Sequence, residues 1–307
     1  MRRGEGAVAA VLVGLLGALV HAHALDVDLG PRLADRLVRH AAIVSGSGKA
    51  PWGYRILAPR LVDGFAARFG VDPDVAVAWG YVGLWGVATG IALFAMFAWL
   101  RAWVAPAWAF AGAVWFAAMH PPSFRWHWFA PDSPLDLAWW LLAALATRSG
   151  HAVWLFPGMV LAVANRETAL FAALIHGALA WGTEPARATL LRAGALAAVG
   201  LGTYAAVRLG VGPLPAAVSA SALFVENRDP TWALFALGAL GSAWALWLVG
   251  FRRRPAALQR LAIALSVTYL PAVLVFGRIR ETRLFLPLLV AWLPLALDAL
   301  RERFDEP

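Results

Sequence analysis

Two carboxylates one residue apart, Asp26 and Asp28, follow directly on an apolar stretch near the start of the chain. At the mouth of a membrane segment such a pair can act as a general base, or hold a divalent cation (Mg or Mn) that bridges phosphate oxygens. The plainer reading is a solvated helix start with Pro31 in its first turn. A second constellation is Asn165-Arg166-Glu167-Thr168, set between the apolar segments 152–164 and 169–181, whose one ionisable side chain is His176. Charge lodged between membrane-grade segments is costly and is by default a sign of function. It has an echo, because Arg166-Glu167-Thr168-Ala169-Leu170-Phe171 is nearly repeated as Arg280-Glu281-Thr282-Arg283-Leu284-Phe285. Arg166 and Arg280 can reach an anionic ligand while Glu167 and Glu281 neutralise or orient them; the alternative is an ion-pair lattice that only joins spans.

Two more groups belong to the same chemistry. Tyr54 and Arg55 open a surface segment, and an arginine there stays charged when desolvated and can grip phosphate with two donors. It can equally snorkel to bulk headgroups. The loop from His120 to Asp132 contains His120, Arg125, His127 and Asp132 with Trp126 and Trp128 between them. Its spacing matches no standard metal-ligand pattern, so no metal is assigned there. A substrate wall, with tryptophan stacked on a sugar ring or a prenyl chain, fits better.

The elements that must position these residues follow from composition. Apolar residues make up 61% of the 307, and mean hydropathy is +0.68. That predicts an all-α polytopic transmembrane bundle in one integral-membrane domain, 1–307. With no cysteine, disulfides, zinc–thiolate sites and thiol nucleophiles are excluded. Of 26 basic side chains only Lys49 is a lysine, and the formal charge is +8. The arginines lie between apolar spans and not on one soluble face, so membrane lipids or phosphorylated substrates are the expected partners and nucleic acid is not.

About ten membrane segments are predicted, at 7–25, 75–100, 103–119, 135–147, 152–164, 169–181, 190–207, 231–251, 261–276 and 284–300. Those at 135–147, 152–164 and 169–181 fall short of the ~20 residues a full crossing needs. Residues 26–74 form the first outer loop, with amphipathic helices at 31–43 and 54–69 that lie along the membrane surface. In the downstream connections, eight basic residues between Arg187 and Arg303 fall on one side and five on the other. The positive-inside rule keeps the eight inside. The acidic and aromatic clusters then share the outer face.

This arrangement resembles the GT-C superfamily, integral-membrane glycosyltransferases that use polyprenyl-phosphate-linked sugars. The likeness lies in a first span followed by an acidic residue, a long outer loop with two surface helices, and many short spans with arginines collected on one side. The Tyr-Arg-x-Leu-x-Pro motif from Tyr54 to Pro59 and the Arg-Glu-Thr turn are similar to those of bacterial multi-spanning proteins placed near that superfamily. The resemblance implies that Asp26 or Asp28 deprotonates an acceptor hydroxyl, with Arg55, Arg166 and Arg280 stabilising the departing lipid phosphate. Tyr54, Arg125, His127, Asp132, Glu167 and Glu281 would complete the substrate site. It also implies a bacterial inner membrane, with the active face periplasmic or extracellular. The chain departs from the pattern in carrying no soluble domain after its last span. Other readings of the same residues are a lipid or solute transporter, a non-catalytic envelope-assembly subunit, and an acyl- or phosphotransferase with His120 or His127 as base.

Overall fold

Helix α4 (Pro73–Arg101) is the element on which the others assemble. The Asp72 carboxylate caps it by accepting from the backbone N–H groups of Asp74 and Val75. Pro73 supplies the fixed φ of a first turn, and Arg101 lies at the negative end of the helix dipole. Its 29 residues rise about 44 Å, enough to cross a bilayer. The structure, a computed structural model, describes residues 3–68, 72–124, 132–216, 219–279 and 281–305. Among these the fold is all-helical, with no named strand. Four further stretches are long and apolar enough to cross a membrane, namely Val8–Val27, Ala186–Val211, Ala256–Phe276 and Thr282–Phe304. The chain is therefore a membrane-embedded helical protein.

The distribution of side chains agrees with a hydrocarbon solvent. Leu15, Leu19, Leu201, Leu209, Val267 and Phe276 are exposed, while Arg36, Arg55, Asp136, Arg166 and Arg283 are buried. Water selects the opposite order; lipid tolerates it because charge is paired inside the bundle.

Helix α1 (Arg3–Ala24) passes through a π-helical turn, Leu25–Leu29, into α2 (Gly30–Val44). After a short 3-10 turn, Trp52–Tyr54, comes α3 (Leu57–Ala66), shorter than the 54–69 read from sequence because Arg55 leaves helical geometry. Gly80 lets α3 lie close on α4, since a Cβ there would stand 2.9 Å from a Val62 methyl. Helix α2 differs from a simple surface helix. Arg36 and His40, on its polar side, turn inward: the Arg36 guanidinium stacks 3.7 Å from the Tyr81 ring centre. His40 bridges Tyr81 and Asp63, at 2.9 Å to each.

The remaining helices are α5 (Pro106–Phe124), α6 (Asp132–Arg148), α7 (Leu155–Asn165), α8 (Ala172–Ala180), α9 (Ala186–Val211), α10 (Ala220–Asn227), α11 (Pro230–Leu240), α12 (Ala243–Leu246), α13 (Ala256–Phe276) and α14 (Leu289–Asp305). The segment predicted as one span at 231–251 is divided, because Gly241 takes φ +58° and ends α11. Both Arg-Glu-Thr repeats run into a 3-10 turn, the first from its glutamate and the second from its threonine, Glu167–Phe171 before α8 and Thr282–Leu288 before α14. The large core side chains are Trp85, Trp99, Trp140, Tyr81, Tyr269 and Phe116.

Polar contacts collect at two places. In one, Arg254 of the α12–α13 link donates to Asp298 and Glu302 on α14, both at 2.8 Å. The other joins the loop before α3, the start of α6 and the α7–α8 break.

Candidate functional site

Four consecutive residues at the end of α7 each engage a different partner. Asn165 closes the helix and donates from Nδ2 to the Asp132 carbonyl at 2.8 Å. Arg166 is extended, with φ −161° and ψ 136°, and this single non-helical residue separates α7 from the 3-10 turn that follows. Its Nη1 donates to Ser133 Oγ at 2.8 Å, and its Nε stands 3.9 Å from Asp136 Oδ2. Glu167 Oε1 accepts from Arg55 Nη2 at 2.9 Å, and Thr168 Oγ1 donates to Asp136 Oδ2 at 2.6 Å. Asp132 and Asp136, one helical turn apart on α6, therefore lie on the same face and take bonds from both sides of the break.

Arg55 is the hub. Its Nη1 donates to Asp132 Oδ2 at 2.8 Å while Nη2 reaches Glu167, so one guanidinium ties the first long loop to α6 and to the α7–α8 break. Burial by itself would lower the Arg55 pKa, but Glu167 and Asp132 outweigh it and hold the group above the ordinary arginine value. Burial would likewise raise Asp132; Arg55, followed by Arg166, Arg283 and Arg36, brings it well below the carboxylate range. Glu167 is lowered in the same way, burial being overcome mainly by Arg55. All three stay ionised at neutral pH. Buried pairs of this geometry repay their desolvation only when their remaining groups are also bonded. Here Arg55 Nε, Arg166 Nε, Asp136 Oδ1 and Asn165 Oδ1 have no hydrogen-bond partner among the described residues.

The hub opens on a cavity of about 430 Å³, within the range of small-molecule sites. Its polar wall is Arg55, Arg166, Glu167, Thr168, Arg278 and Glu281; its apolar wall includes Phe171, Tyr269 and Phe276, with Trp52 at the loop side. Arg278 pairs with Glu226 at 3.3 Å, and Glu281 Oε2 accepts from Arg283 at 3.0 Å. The chemistry on offer is a polar wall of three arginines and two glutamates facing an apolar surface, a combination that suits an amphiphile with an anionic head.

The structure thus brings together Arg55, Asp132, Arg166, Glu167 and Glu281 from the residues read in sequence. It does not bring Asp26, which is exposed in the turn between α1 and α2 and is not among the cavity lining. Tyr54 is also outside that lining. Its hydroxyl donates to the Gly212 carbonyl and accepts from the Leu214 N–H, each at 3.1 Å, while Arg208 stacks on its ring. Tyr54 therefore pins the loop to the end of α9. Arg125, His127, Arg280 and the Asp28 side chain lie outside the described residues, and with Asp28 goes the divalent-cation pair. Among the described residues no three His, Asp or Glu side chains form a metal-ligating group.

Sequence reasoning missed Asp136, Ser133 and Tyr269. The i, i+4 spacing of Asp132 and Asp136 was the available signal; nothing local marked Tyr269, which reaches the cavity from α13. No protein-family model, curated protein or solved structure matches the chain.

Proposed function

We propose that this chain is a membrane transferase that moves a sugar from a polyprenyl-phosphate donor to an acceptor on the outer face of a bacterial inner membrane. The observation that carries this reading is the amphiphilic cavity, where an anion-attracting polar wall fed by the buried Arg55 hub faces an aromatic and aliphatic one. In this reading the donor phosphate lies against Arg166 and Arg278, and the sugar lies toward Trp52. The acceptor oxygen forms its bond to the anomeric carbon as the carbon–oxygen bond to phosphate breaks. The electron pair leaves with the phosphate, whose growing charge the arginines stabilise. The acceptor proton passes to a carboxylate. Glu167, ionised and in the cavity lining, takes that role in place of Asp26.

The short helices fit this reading as parts of about ten membrane segments, with α7 and α8 meeting at the break that carries the site. The reading favours chemistry over transport, because Arg55, Arg166, Glu167, Thr168, Arg278 and Glu281 line one cavity and do not form a series of charged stations along one path.

The direct test is mass spectrometry of lipids retained by the purified protein, followed by transfer assays with the lipid found. A retained polyprenyl-phosphate sugar and its consumption in the presence of acceptor are expected. Retention of bulk phospholipid alone, or passage of the cargo across proteoliposomes without chemical change, would overturn the proposal.

A further inference from the structure

We infer that a small monovalent anion of halide size is bound in the outer loop, between α2, the Trp52–Tyr54 turn, α3 and the start of α6, independently of the donor reading above. A cavity of about 10 Å³ lies there, with Arg36, Arg39, Arg55, Trp52 and Asp132 in its lining. That is room for one water-sized particle and not for the five atoms of a phosphate. Arg55 and Trp52 line the larger cavity as well, so the anion shares one guanidinium with the hub.

Charge is what selects an anion over a water here. Arg36 and Arg39 stand three residues apart on α2 and share a face with Ile43, which also lines the cavity; like charges at that spacing repel. Among the described residues of the lining, Asp132 is the one carboxylate, and it already accepts from Arg55 at 2.8 Å. Arg36 and Arg55 are 4% and 8% exposed, and each has a buried Nε with no hydrogen-bond partner among the described residues.

Rings hold the two α2 guanidiniums in place, Arg36 at 3.7 Å from the Tyr81 ring centre and Arg39 at 4.5 Å from that of Trp52. Burial, and next the Arg36 charge, bring the Arg39 pKa down to about 10; Asp132 acts the other way, and Arg283 and Arg55 add to the fall. Positive neighbours thus add to burial in opposing the ionised form, and an anion beside them reverses that. A guanidinium is weakly hydrated, so its natural counter-ion in a space of this size is a weakly hydrated halide. The bound ion neutralises the arginine face of α2 where it packs on the hub, and the outer loop becomes anion-dependent in its stability.

The test follows thermal unfolding of the full chain in a non-ionic detergent as chloride or bromide replaces gluconate at constant ionic strength. The wild type is expected to melt about 3 °C higher at a halide concentration about ten times Kd, with a response that saturates. Arg39→Gln should lose the response, and Arg252→Gln, at an exposed position in the α12–α13 link, should keep it. Arg36→Gln has the same expectation as Arg39→Gln and replaces it if that variant does not fold. Crystals grown with bromide should show its anomalous signal between Arg36 and Arg55. A wild type that melts alike in halide and gluconate overturns the inference and leaves a water in the cavity. So does a rise that Arg39→Gln shares in full, which marks a bulk salt effect, or a bromide signal confined to the surface.

Discussion

Two buried arginines in this molecule make the same kind of bond and serve different ends. Arg55 and Arg254 each bridge two carboxylates through both terminal nitrogens, at 2.8 to 2.9 Å. Arg254 takes both partners from α14, Asp298 and Glu302, which stand one helical turn apart. It closes one link against one helix. Arg55 takes its partners from two segments, 77 and 112 residues away in the chain, and it lines a cavity with Arg166 and Glu167 beside it. Ion-pair geometry alone therefore does not mark a site. What sets Arg55 apart is that it joins distant segments beside unfilled space.

The largest expected effect separates the two. Arg55→Met leaves the buried Asp132 and the half-buried Glu167 without their hydrogen-bonded counter-charge, which costs about 3 kcal/mol of stability and abolishes binding of a prenyl phosphate. Arg254→Met should lose less in denaturant unfolding, because Glu302 is partly exposed and Asp298 keeps Arg301, while its folded fraction binds the phosphate as the wild type does. Loss of binding in the folded fraction of Arg254→Met would collapse the distinction between lock and site.

Next comes Glu167→Gln, which keeps shape and a hydrogen-bond acceptor for Arg55. If Glu167 receives the acceptor proton, transfer falls by about 10²-fold or more with lipid retention intact. Asp26→Asn should transfer at the wild-type rate. The reverse pattern would return the base to the α1–α2 turn where sequence spacing put it.

Acid should act on the hub through the carboxylates. Asp132 and Glu167 are both lowered in the folded state, so the unfolded chain binds protons more readily. Their stabilisation is complete above the ordinary carboxylate values of about 4 and is lost as pH falls below them. Thermal unfolding followed from neutral pH downward should show a flat region and then a steep loss, and Asp132→Asn should remove much of the slope. The smallest effect concerns His40, lowered chiefly by burial although Asp63 opposes it. Its neutral form is favoured by folding, so its share is present above about pH 6.5 and fades as pH drops through that value. A His40→Gln variant should lack this shallow step.

Much of the arrangement was legible before any coordinates. Helical class and membrane embedding follow from unbroken apolar runs. The Asn165–Thr168 break stood out because charge is rare in such surroundings, and its echo at Glu281 also runs into a 3-10 turn. Other features were not legible for stated reasons. The division of 231–251 depends on Gly241 adopting a left-handed conformation, which hydropathy does not register. The inward turn of Arg36 and His40 depends on Tyr81 arriving from α4. Tyr54, whose motif suggested substrate, found its partners on the α9 exit 158 residues away.

By itself, the sequence determined that this chain is helical and membrane-embedded, because side-chain hydrophobicity and backbone hydrogen bonding in lipid leave few alternatives. It also singled out the charged break at Asn165–Thr168 between two apolar segments. Only the tertiary structure decided which charges meet. Arg55, Asp132 and Glu167 are separated by long helical segments, and pairing over such distances depends on helix packing that no local pattern encodes. Tertiary structure also placed Asp26 on the exposed side of its turn and opened the cavity beside Glu167, and on those two facts the proposed role of Glu167 rests.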